Sequence, residues 1–448
     1  MKLQRVNRYI NPFHIIILGF FFVILVGSCL LALPPATLDG KGAPFLDALF
    51  TATSATCVTG LAVYNTAEYW SLFGQTVILI LIQVGGIGVV TIAMAISLFS
   101  GRKIGLMQRS TMQEAIAAPQ VGGIVKMTGF LLKGVLLIEL LGTVLLSFRF
   151  CPDFGIAKGI WYALFHSVSA FCNAGFDLMG TENGSSLMQY VGDPLVNITI
   201  ILLIIIGGIG FFTWQDIVLN KTHFHKYRLH TKLVLVMTAI LILAPAAYFF
   251  FLEFSQDRWS VFSIGDKIFA SFFQSVTLRT AGFNTVDLTG ISEPGQFVMV
   301  VCMLIGGASG STAGGFKVTT LAILLLATIA VFRKREDTQC FGRRIAGDTI
   351  HNALAIFMLY LILCFFGTIL IANAEQTSLM TALFETASAL ATVGLSLGIT
   401  GALSAASKIV LILLMFLGRV GGLTLIFAIV SNKRPFFSHY PEEKVTVG

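Results

Sequence analysis

The chain is 448 residues long, 56% hydrophobic and only 11% charged. A soluble domain carries about 25% charged residues, so this composition excludes a water-soluble fold and makes a lipid bilayer the solvent. The net charge of +7 does not describe a nucleic-acid surface, because 19 of the 29 Lys and Arg fall in five short clusters.

Those clusters are Lys2/Arg5/Arg8, Arg102/Lys103/Arg109/Lys126, Lys221/Lys226/Arg228/Lys232, Arg333/Lys334/Arg335/Arg343/Arg344 and Lys433/Arg434/Lys444. The loops between them are acidic, with Asp39, Asp47, Glu68, Asp153, Asp177, Glu182, Asp193, Glu253, Asp257, Asp266, Asp287, Glu293 and Glu375. By the positive-inside rule the basic clusters are cytoplasmic. Both termini are then expected inside, in a multi-pass protein of the plasma membrane. Apolar runs near the ~20 residues needed to cross a bilayer occur at 14–33, 74–99, 128–148, 195–219, 232–252, 296–332, 351–371 and 407–430. The first exceeds the roughly 7–15-residue core of a signal peptide and is read as a retained span. The seven cysteines show no CxxC or Cys/His spacing, so neither a disulfide framework nor a metal site is expected.

Between the two runs of each pair one phrase recurs. It reads FTATSATCVTG from Phe50 to Gly60, FHSVSAFCNAG from Phe165 to Gly175, FFQSVTLRTAG from Phe272 to Gly282 and FETASALATVG from Phe384 to Gly394. The glycines stand 115, 107 and 112 residues apart. Each stretch is too short to span, so it predicts a short helix and an extended strand that enter and leave by one face. Irregular backbone at membrane depth persists only where it is buried in protein or lines water. Two crossings per unit return the chain to its starting side, which relates the units by rotation about the membrane normal rather than by inversion. The predicted fold is an all-α membrane protein of four membrane helix–re-entrant pore loop–membrane helix repeats, with pseudo-four-fold symmetry around one pore. The repeats cover 1–105, 106–225, 226–340 and 341–432, and a cytoplasmic tail covers 433–448.

A selectivity filter replaces an ion's hydration shell with carbonyl oxygens aimed at one axis. Glycine supplies the backbone conformations that such a strand needs, and small neighbours let four strands crowd together. The expected potassium filter is Thr56, Cys57, Val58, Thr59 and Gly60; Phe171, Cys172, Asn173, Ala174 and Gly175; Leu278, Arg279, Thr280, Ala281 and Gly282; and Leu390, Ala391, Thr392, Val393 and Gly394. Each short helix aims its negative C-terminal end at the path, which favours a cation, and the outer carboxylates concentrate cations. The competing reading of a single such glycine is a helix-packing contact; four at matched offsets favour the filter.

The second run of each pair also carries glycines: QVGGIG at Gln83–Gly88, IGGIG at Ile206–Gly210, IGGASGSTAGGFK at Ile305–Lys317 and GRVGG at Gly418–Gly422. The third differs in kind. As one straight helix, the run 296–332 would be ~54 Å long against a hydrocarbon core of ~30 Å. Its Gly-, Ser-, Thr- and Ala-rich middle predicts a break, with a flexible loop at 305–317 beneath the filter. Gly306, Gly307, Ala308, Ser309, Gly310, Ser311, Thr312, Ala313, Gly314 and Gly315 would form the gate. A phosphate-binding loop fails on context, since no strand or βαβ unit surrounds the segment.

Arg419 lies inside an apolar run, where a charge costs at least about 2.5–3.5 kcal/mol. It is read as a positive barrier in the pore held by the gate loop, against an alternative role as a brace between helices. Lys317 either lines the inner vestibule or reaches the cytoplasmic surface. Arg279 is expected to brace its loop by donating to backbone carbonyls. Glu139 is expected to pair with a neighbouring repeat, with a proton relay as the lesser reading. His166 and Glu385 are expected to anchor pore helices rather than bind metal. No nucleophile or metal constellation appears, so an enzyme is not expected.

The loops CVTGL, CNAGF, RTAGF and ATVGL, the GGASGSTAGGFK segment and the GRVGG arginine resemble the Trk/Ktr/HKT superfamily of cation uptake proteins. In length and in its ending YPEEKVTVG the chain looks most like the membrane, ion-translocating subunit of Ktr systems. The resemblance covers essentially the whole chain. It implies potassium uptake, often sodium-dependent, by a homodimer with one pore per protomer, with K+ as the transported ion and Na+ as a possible coupling ion. It also implies a separate cytoplasmic ring of nucleotide-binding, RCK-type regulatory subunits, a filter at Gly60, Gly175, Gly282 and Gly394, a gate at Gly306–Gly315, a barrier at Arg419 and a dimer-interface tail. One departure stands out. Ser54, Ser169 and Ser388 lie six before their glycines, but the third loop has Val276 there. Two other readings remain: a sodium-conducting relative of the same fold, and an alternating-access cation symporter, for which only Glu139 is a candidate carboxylate.

Overall fold

Four long apolar helices frame the molecule in a computed structural model that describes residues 12–93, 106–115, 124–180 and 186–422, with positions 441, 443 and 446. The tail 433–448, the basic residues Lys2, Arg5, Arg8, Arg102, Lys103, Lys433, Arg434 and Lys444, and Glu182 lie outside the described residues or carry no described surroundings.

In chain order the helices are α1 (Pro12–Leu31), α2 (Phe45–Thr56), α3 (Leu72–Ile87), α4 (Leu106–Ala115), α5 (Ile124–Phe154), α6 (Ile156–Phe171), α7 (Pro194–Gly208) and α8 (Phe211–Asn220). They continue as α9 (Leu229–Tyr248), α10 (Ile264–Thr277), α11 (Glu293–Leu304), α12 (Val318–Phe332), α13 (Gly347–Glu375), α14 (Leu379–Leu390) and α15 (Ala405–Val420). A two-stranded antiparallel hairpin, β1 (Gln339–Cys340) and β2 (Arg343–Arg344), joins α12 to α13 and straddles the expected division at 340/341.

The segments Pro12–Leu31, Met127–Phe154, Leu229–Glu253 and Gly347–Glu375 are long and apolar enough to cross a membrane. Their outer faces carry bare apolar side chains such as Phe22, Leu136, Leu140 and Phe366, which suits a lipid solvent and would be unstable against water. Every second run is interrupted, and here the structure corrects the expectation that only the third is broken. α3 stops at Gly88 (φ 97°) and α15 at Gly421 (φ 90°). α7 and α8 meet at Gly210 (φ 87°) with a bend of 96°. α11 and α12 are separated by residues 305–317. A positive φ carries no steric cost only for glycine, so the third glycine of QVGGIG and of IGGIG, and the Gly421 of GRVGG, turn the chain out of the helix.

The short helices α2, α6, α10 and α14 lie between the long helices and the broken ones. Their C-terminal halves are buried nearly all round: Phe50, Phe165 and Phe384 are fully enclosed, each contributing about 1.5–3 kcal/mol on leaving water. The packing order is cyclic. α3 packs on α6, α7 on α10, α11 on α14, and α15 returns to α2. Trp161 donates to Gln75 Oε1 (2.9 Å) across the first of these seams. Lys408 on α15 pairs with Asp47 on α2 (2.7 Å) across the last, and Tyr64 donates to the same carboxylate (2.6 Å).

The third short helix is offset from the others by one residue. Phe272 is 39% exposed, and Phe273 takes the enclosed position. The same shift accounts for Val276. Ser54 and Ser388 accept from the Gly60 and Gly394 N–H groups (3.1 and 3.0 Å), and Ser169 donates to the Phe176 carbonyl (2.8 Å). In the third loop Thr277, one position later, donates to the Phe283 carbonyl (2.6 Å).

Candidate functional site

α2, α6 and α14 end at Thr56, Phe171 and Leu390, and Leu278 caps α10. Cys57, Cys172 and Ala391 are the caps of the other three, so these residues turn the chain rather than extend it. The extended part is shorter than the sequence suggests. The residues two before each glycine, Val58, Asn173, Thr280 and Thr392, all adopt left-handed backbone (φ 58°, 60°, 64° and 53°). The glycines follow at φ 97°, 69°, 81° and 96°. Non-glycine residues rarely adopt such angles, and four at one register signal a conformation the surroundings enforce. Only Asn173 is of a type enriched there; the β-branched Val58, Thr280 and Thr392 gave no such signal.

The four glycines face one another around a ring. A Cβ placed on Gly175 would stand 2.8 Å from the Ala281 carbonyl oxygen and 2.8 Å from Gly282 Cα, and one on Gly282 would stand 2.5 Å from the Val393 oxygen. On Gly394 it would strike the Thr59 carbonyl, and on Gly60 the Ala174 carbonyl, closing the cycle. The carbonyls of Thr59, Ala174, Ala281 and Val393 thus each stand against the glycine of a neighbouring loop. The next side chains, Leu61, Phe176, Phe283 and Leu395, are buried behind the ring and anchor it.

Beneath the ring a second set of glycines leans on the short helices. A Cβ on Gly85, Gly207 or Gly418 would run into the carbonyl of Thr56, Phe171 or Leu390. These are the glycine pairs of the broken helices, so the packing reading and the filter reading apply to different glycines.

Two cavities flank the ring. One, of about 300 Å³, is lined by all four glycines together with Asp177 and Asp287. Asp177 lies outside the spanning helices; burial pushes its carboxyl up to about 6, partly offset by the Met179 N–H that it accepts. Several of the other acidic residues expected to draw cations are engaged elsewhere. Asp47 pairs with Lys408, Asp153 and Asp193 pair with Arg149 (2.8 and 2.7 Å), and Glu375 accepts from Ser404 (2.6 Å).

The second cavity, of about 440 Å³, opens below residues 309–315 and is lined by Lys317 and Arg419. The loop 305–317 separates it from the ring. Gly306 N–H donates to the Phe316 carbonyl (2.9 Å) and Val318 N–H to the Gly307 carbonyl (3.1 Å), which pinches the two ends of the loop together. Gly306, Gly307, Ala308, Ala313 and Gly315 are packed inside, whereas Ser309, Gly310 and Ser311 are partly open. Arg419 donates to the carbonyls of Thr312, Gly85 and Gly86, joining α15, α3 and the loop. Lys317 curls back to donate to the Ala313 carbonyl (2.8 Å) and the Gly314 carbonyl (3.3 Å) while facing this cavity.

The remaining ionisable residues sort as follows. Arg279 is buried, but its partner is the Thr238 hydroxyl on α9 (3.2 Å), not the backbone carbonyls expected. The Arg279 backbone carbonyl in turn accepts from Asn173 (3.1 Å). Glu139 on α5 accepts from Gln83 on α3 (3.0 Å), a pair between two sequence units. His166 lies 2.7 Å from the Tyr162 carbonyl, and Glu385 accepts from Ser396 and from Thr400 (3.2 Å). Among the described residues no cluster of His, Cys, Asp and Glu could hold a metal ion.

A family model described as TrkH, a cation transport protein, matches residues 11–440. The chain is 41% identical to the Ktr system potassium uptake protein B of Bacillus subtilis, across the whole of both chains. It is 39% identical to the potassium/sodium uptake protein NtpJ of Enterococcus hirae, over 99% of each. Among solved structures, the potassium transporter TrkH of Vibrio parahaemolyticus matches with a TM-score of 0.72 at 20% identity, covering 93% of this chain and 84% of that one. That last likeness speaks to the fold alone.

Proposed function

This chain belongs to the TrkH family of cation transport proteins, and on that premise we propose that it takes up potassium through a single pore. The pore is built by four repeats, 1–105, 106–225, 226–340 and 341–432, related by pseudo-four-fold symmetry. The observation that carries the reading is the ring in which each filter glycine lies against the carbonyl before the next. Four carbonyl dipoles around the ring replace the water around a monovalent cation, and the C-terminal ends of α2, α6, α10 and α14 add negative potential. The ring has no room for side chains, which is why glycine stands at Gly60, Gly175, Gly282 and Gly394.

Potassium is favoured because the relatives above carry it in their names. Sodium enters as a coupling or competing ion, since one of those names includes it. The loop 305–317 is the gate and Arg419 its positive barrier, because both stand between the ring and the cavity on the opposite side. The side lined by Asp177 and Asp287 is extracellular, and both termini are cytoplasmic in the plasma membrane. The protein acts as a homodimer under a separate nucleotide-binding regulatory ring; the name of a Ktr system protein B supports a companion subunit. Glu139 accepts from Gln83 and from the Cys172 thiol, so its carboxylate is engaged in packing two units together, which argues against a proton-coupled carrier.

The test is uptake of radioactive rubidium into proteoliposomes with competing potassium, sodium and lithium. Potassium should compete best. Equal competition by sodium would replace this reading with that of a sodium-conducting relative.

A further inference from the structure

The loop 305–317 is hydrogen-bonded to the filter strands themselves, through the left-handed residues two before the glycines. Asn173 donates from Nδ2 to the Arg279 carbonyl (3.1 Å), which turns its Oδ1 toward the loop. The Thr312 hydroxyl stands 3.1 Å from that Oδ1 and 3.1 Å from the Phe171 carbonyl, so its one proton is shared between them. The Gly314 N–H donates to the Thr280 hydroxyl (3.2 Å). Gly314 also presses on the fourth loop, where an added Cβ would stand 2.8 Å from the Ala391 carbonyl. Val58, at the matching position of the first loop, has no polar atom to offer.

Thr312 is held on its other sides as well. Its N–H donates to the Gly207 carbonyl (3.3 Å), and its own carbonyl accepts from Arg419. The residue is fully buried. Resting on the reading of 305–317 as a gate beneath a filter, we propose that Thr312 and Asn173 are positioning residues that latch the gate loop to the filter in its closed position. The loop cannot leave the axis without breaking the bonds to Asn173, Phe171 and Thr280. A buried polar group left without a partner is costly, so the latch releases only as water or a cation reaches the freed oxygens. Gate and filter are then one hydrogen-bonded unit, and the filter's second loop senses the gate's position.

The experiment measures rubidium uptake by the full-length protein in proteoliposomes, with sodium competition alongside. Thr312→Val keeps the shape and removes the donor. It should raise flux about fivefold, the factor matching one hydrogen bond, with the potassium-over-sodium preference intact. Thr312→Ser should restore wild-type flux. Asn173→Ala should also raise flux, and the double variant should not exceed Thr312→Val, which already removes the bond that Asn173 accepts. Thr280→Val probes the latch from the Gly314 side and should raise flux if Thr312→Val fails to assemble. Deleting Gly310–Gly314 serves as the control for the gate itself. If deletion raises flux while Thr312→Val and Thr280→Val leave it unchanged, the latch is wrong and the gate stands. If deletion also leaves flux unchanged, the gate reading fails and takes the latch with it. If Thr312→Val lowers selectivity without raising flux, Thr312 supports the filter and the proposal is overturned.

Discussion

The second helices of the first, second and fourth sequence units each break at one glycine, at Gly88, Gly210 and Gly421, whereas the third breaks across residues 305–317. The same third unit holds the short helix that is offset by one residue, with Phe273 and Thr277 in the places of Phe272 and Val276. A single left-handed glycine turns the chain and leaves nothing behind to move. The third unit instead leaves a loop of small residues, pinched at its ends and bonded to three other segments. The frame is therefore regular around the glycine ring, and irregular in the one unit that carries the proposed gate. Departures from local pattern concentrate where function needs them.

If that division between frame and gate is right, damage to the frame should abolish selective transport rather than tune it. Gly175→Ala places a Cβ against Ala281 and Gly282 at a φ of 69°. Left-handed alanine costs roughly 1–2 kcal/mol, and overpacking adds about 1–3 kcal/mol. Selective rubidium uptake should fall on the order of a hundredfold while the protein still inserts and elutes normally. A variant with wild-type selectivity would show that the ring is not the selecting element.

Damage to the gate should do the reverse. Arg419→Ala removes donors to Thr312, Gly85 and Gly86, each charge-assisted bond being worth about 1.5–3 kcal/mol. Flux should rise about tenfold, and Arg419→Lys should fall between, because an ammonium cannot span three carbonyls as a guanidinium does. A variant that fails to fold, rather than conducting faster, would assign Arg419 to bracing the frame.

Much of this arrangement was legible in the amino-acid sequence. The four Phe-to-Gly stretches located the loops, since small residues ending in glycine have no other reason to recur between apolar runs. A charge inside an apolar run marked Arg419, and excess length marked 305–317. Other features were hidden for physical reasons. The runs ending at Gly88 and Gly421 are as apolar as an unbroken span, and the glycine that breaks them resembles the glycines that merely pack. Phe272 and Phe273 are adjacent and identical, so spacing alone cannot say which is enclosed. Of the left-handed residues Val58, Asn173, Thr280 and Thr392, three are β-branched, a type that favours extended backbone. Carboxylates in acidic loops look alike until partners such as Lys408 and Arg149 are seen.

The one-residue offset sharpens the comparison between the third loop and its neighbours. Thr277→Val removes the donor to the Phe283 carbonyl and should cost about 1 kcal/mol, lowering the melting temperature in detergent and weakening potassium preference a few-fold. Val276→Ser, which restores the serine of the other loops at its nominal position, should itself destabilise, because Val276 is fully buried among apolar side chains, and should not rescue Thr277→Val. Rescue of Thr277→Val by Val276→Ser would return the third helix to the common register.

The smallest expected effect concerns the vestibule, where two regions of acidic chain differ in exposure to the path. Asp177 lines the cavity above the glycines, whereas Asp47 spends its charge on Lys408. Burial pushes the Asp177 carboxyl up to about 6, so it is charged above that pH and neutral below it. Its attraction for an approaching cation is therefore present at neutral pH and lost as the medium is acidified through pH 6. This half-buried charge acts across the cavity against a Debye length of about 8 Å at physiological salt, which limits the gain to roughly two- to threefold in apparent affinity. The potassium concentration for half-maximal rubidium competition should rise by that factor between pH 7 and pH 5, with the maximal rate unchanged. Asp177→Asn should show the raised value at both pH values and lose the dependence. A pH profile that survives this substitution would move the titrating group elsewhere and leave Asp287 as the carboxylate to change next.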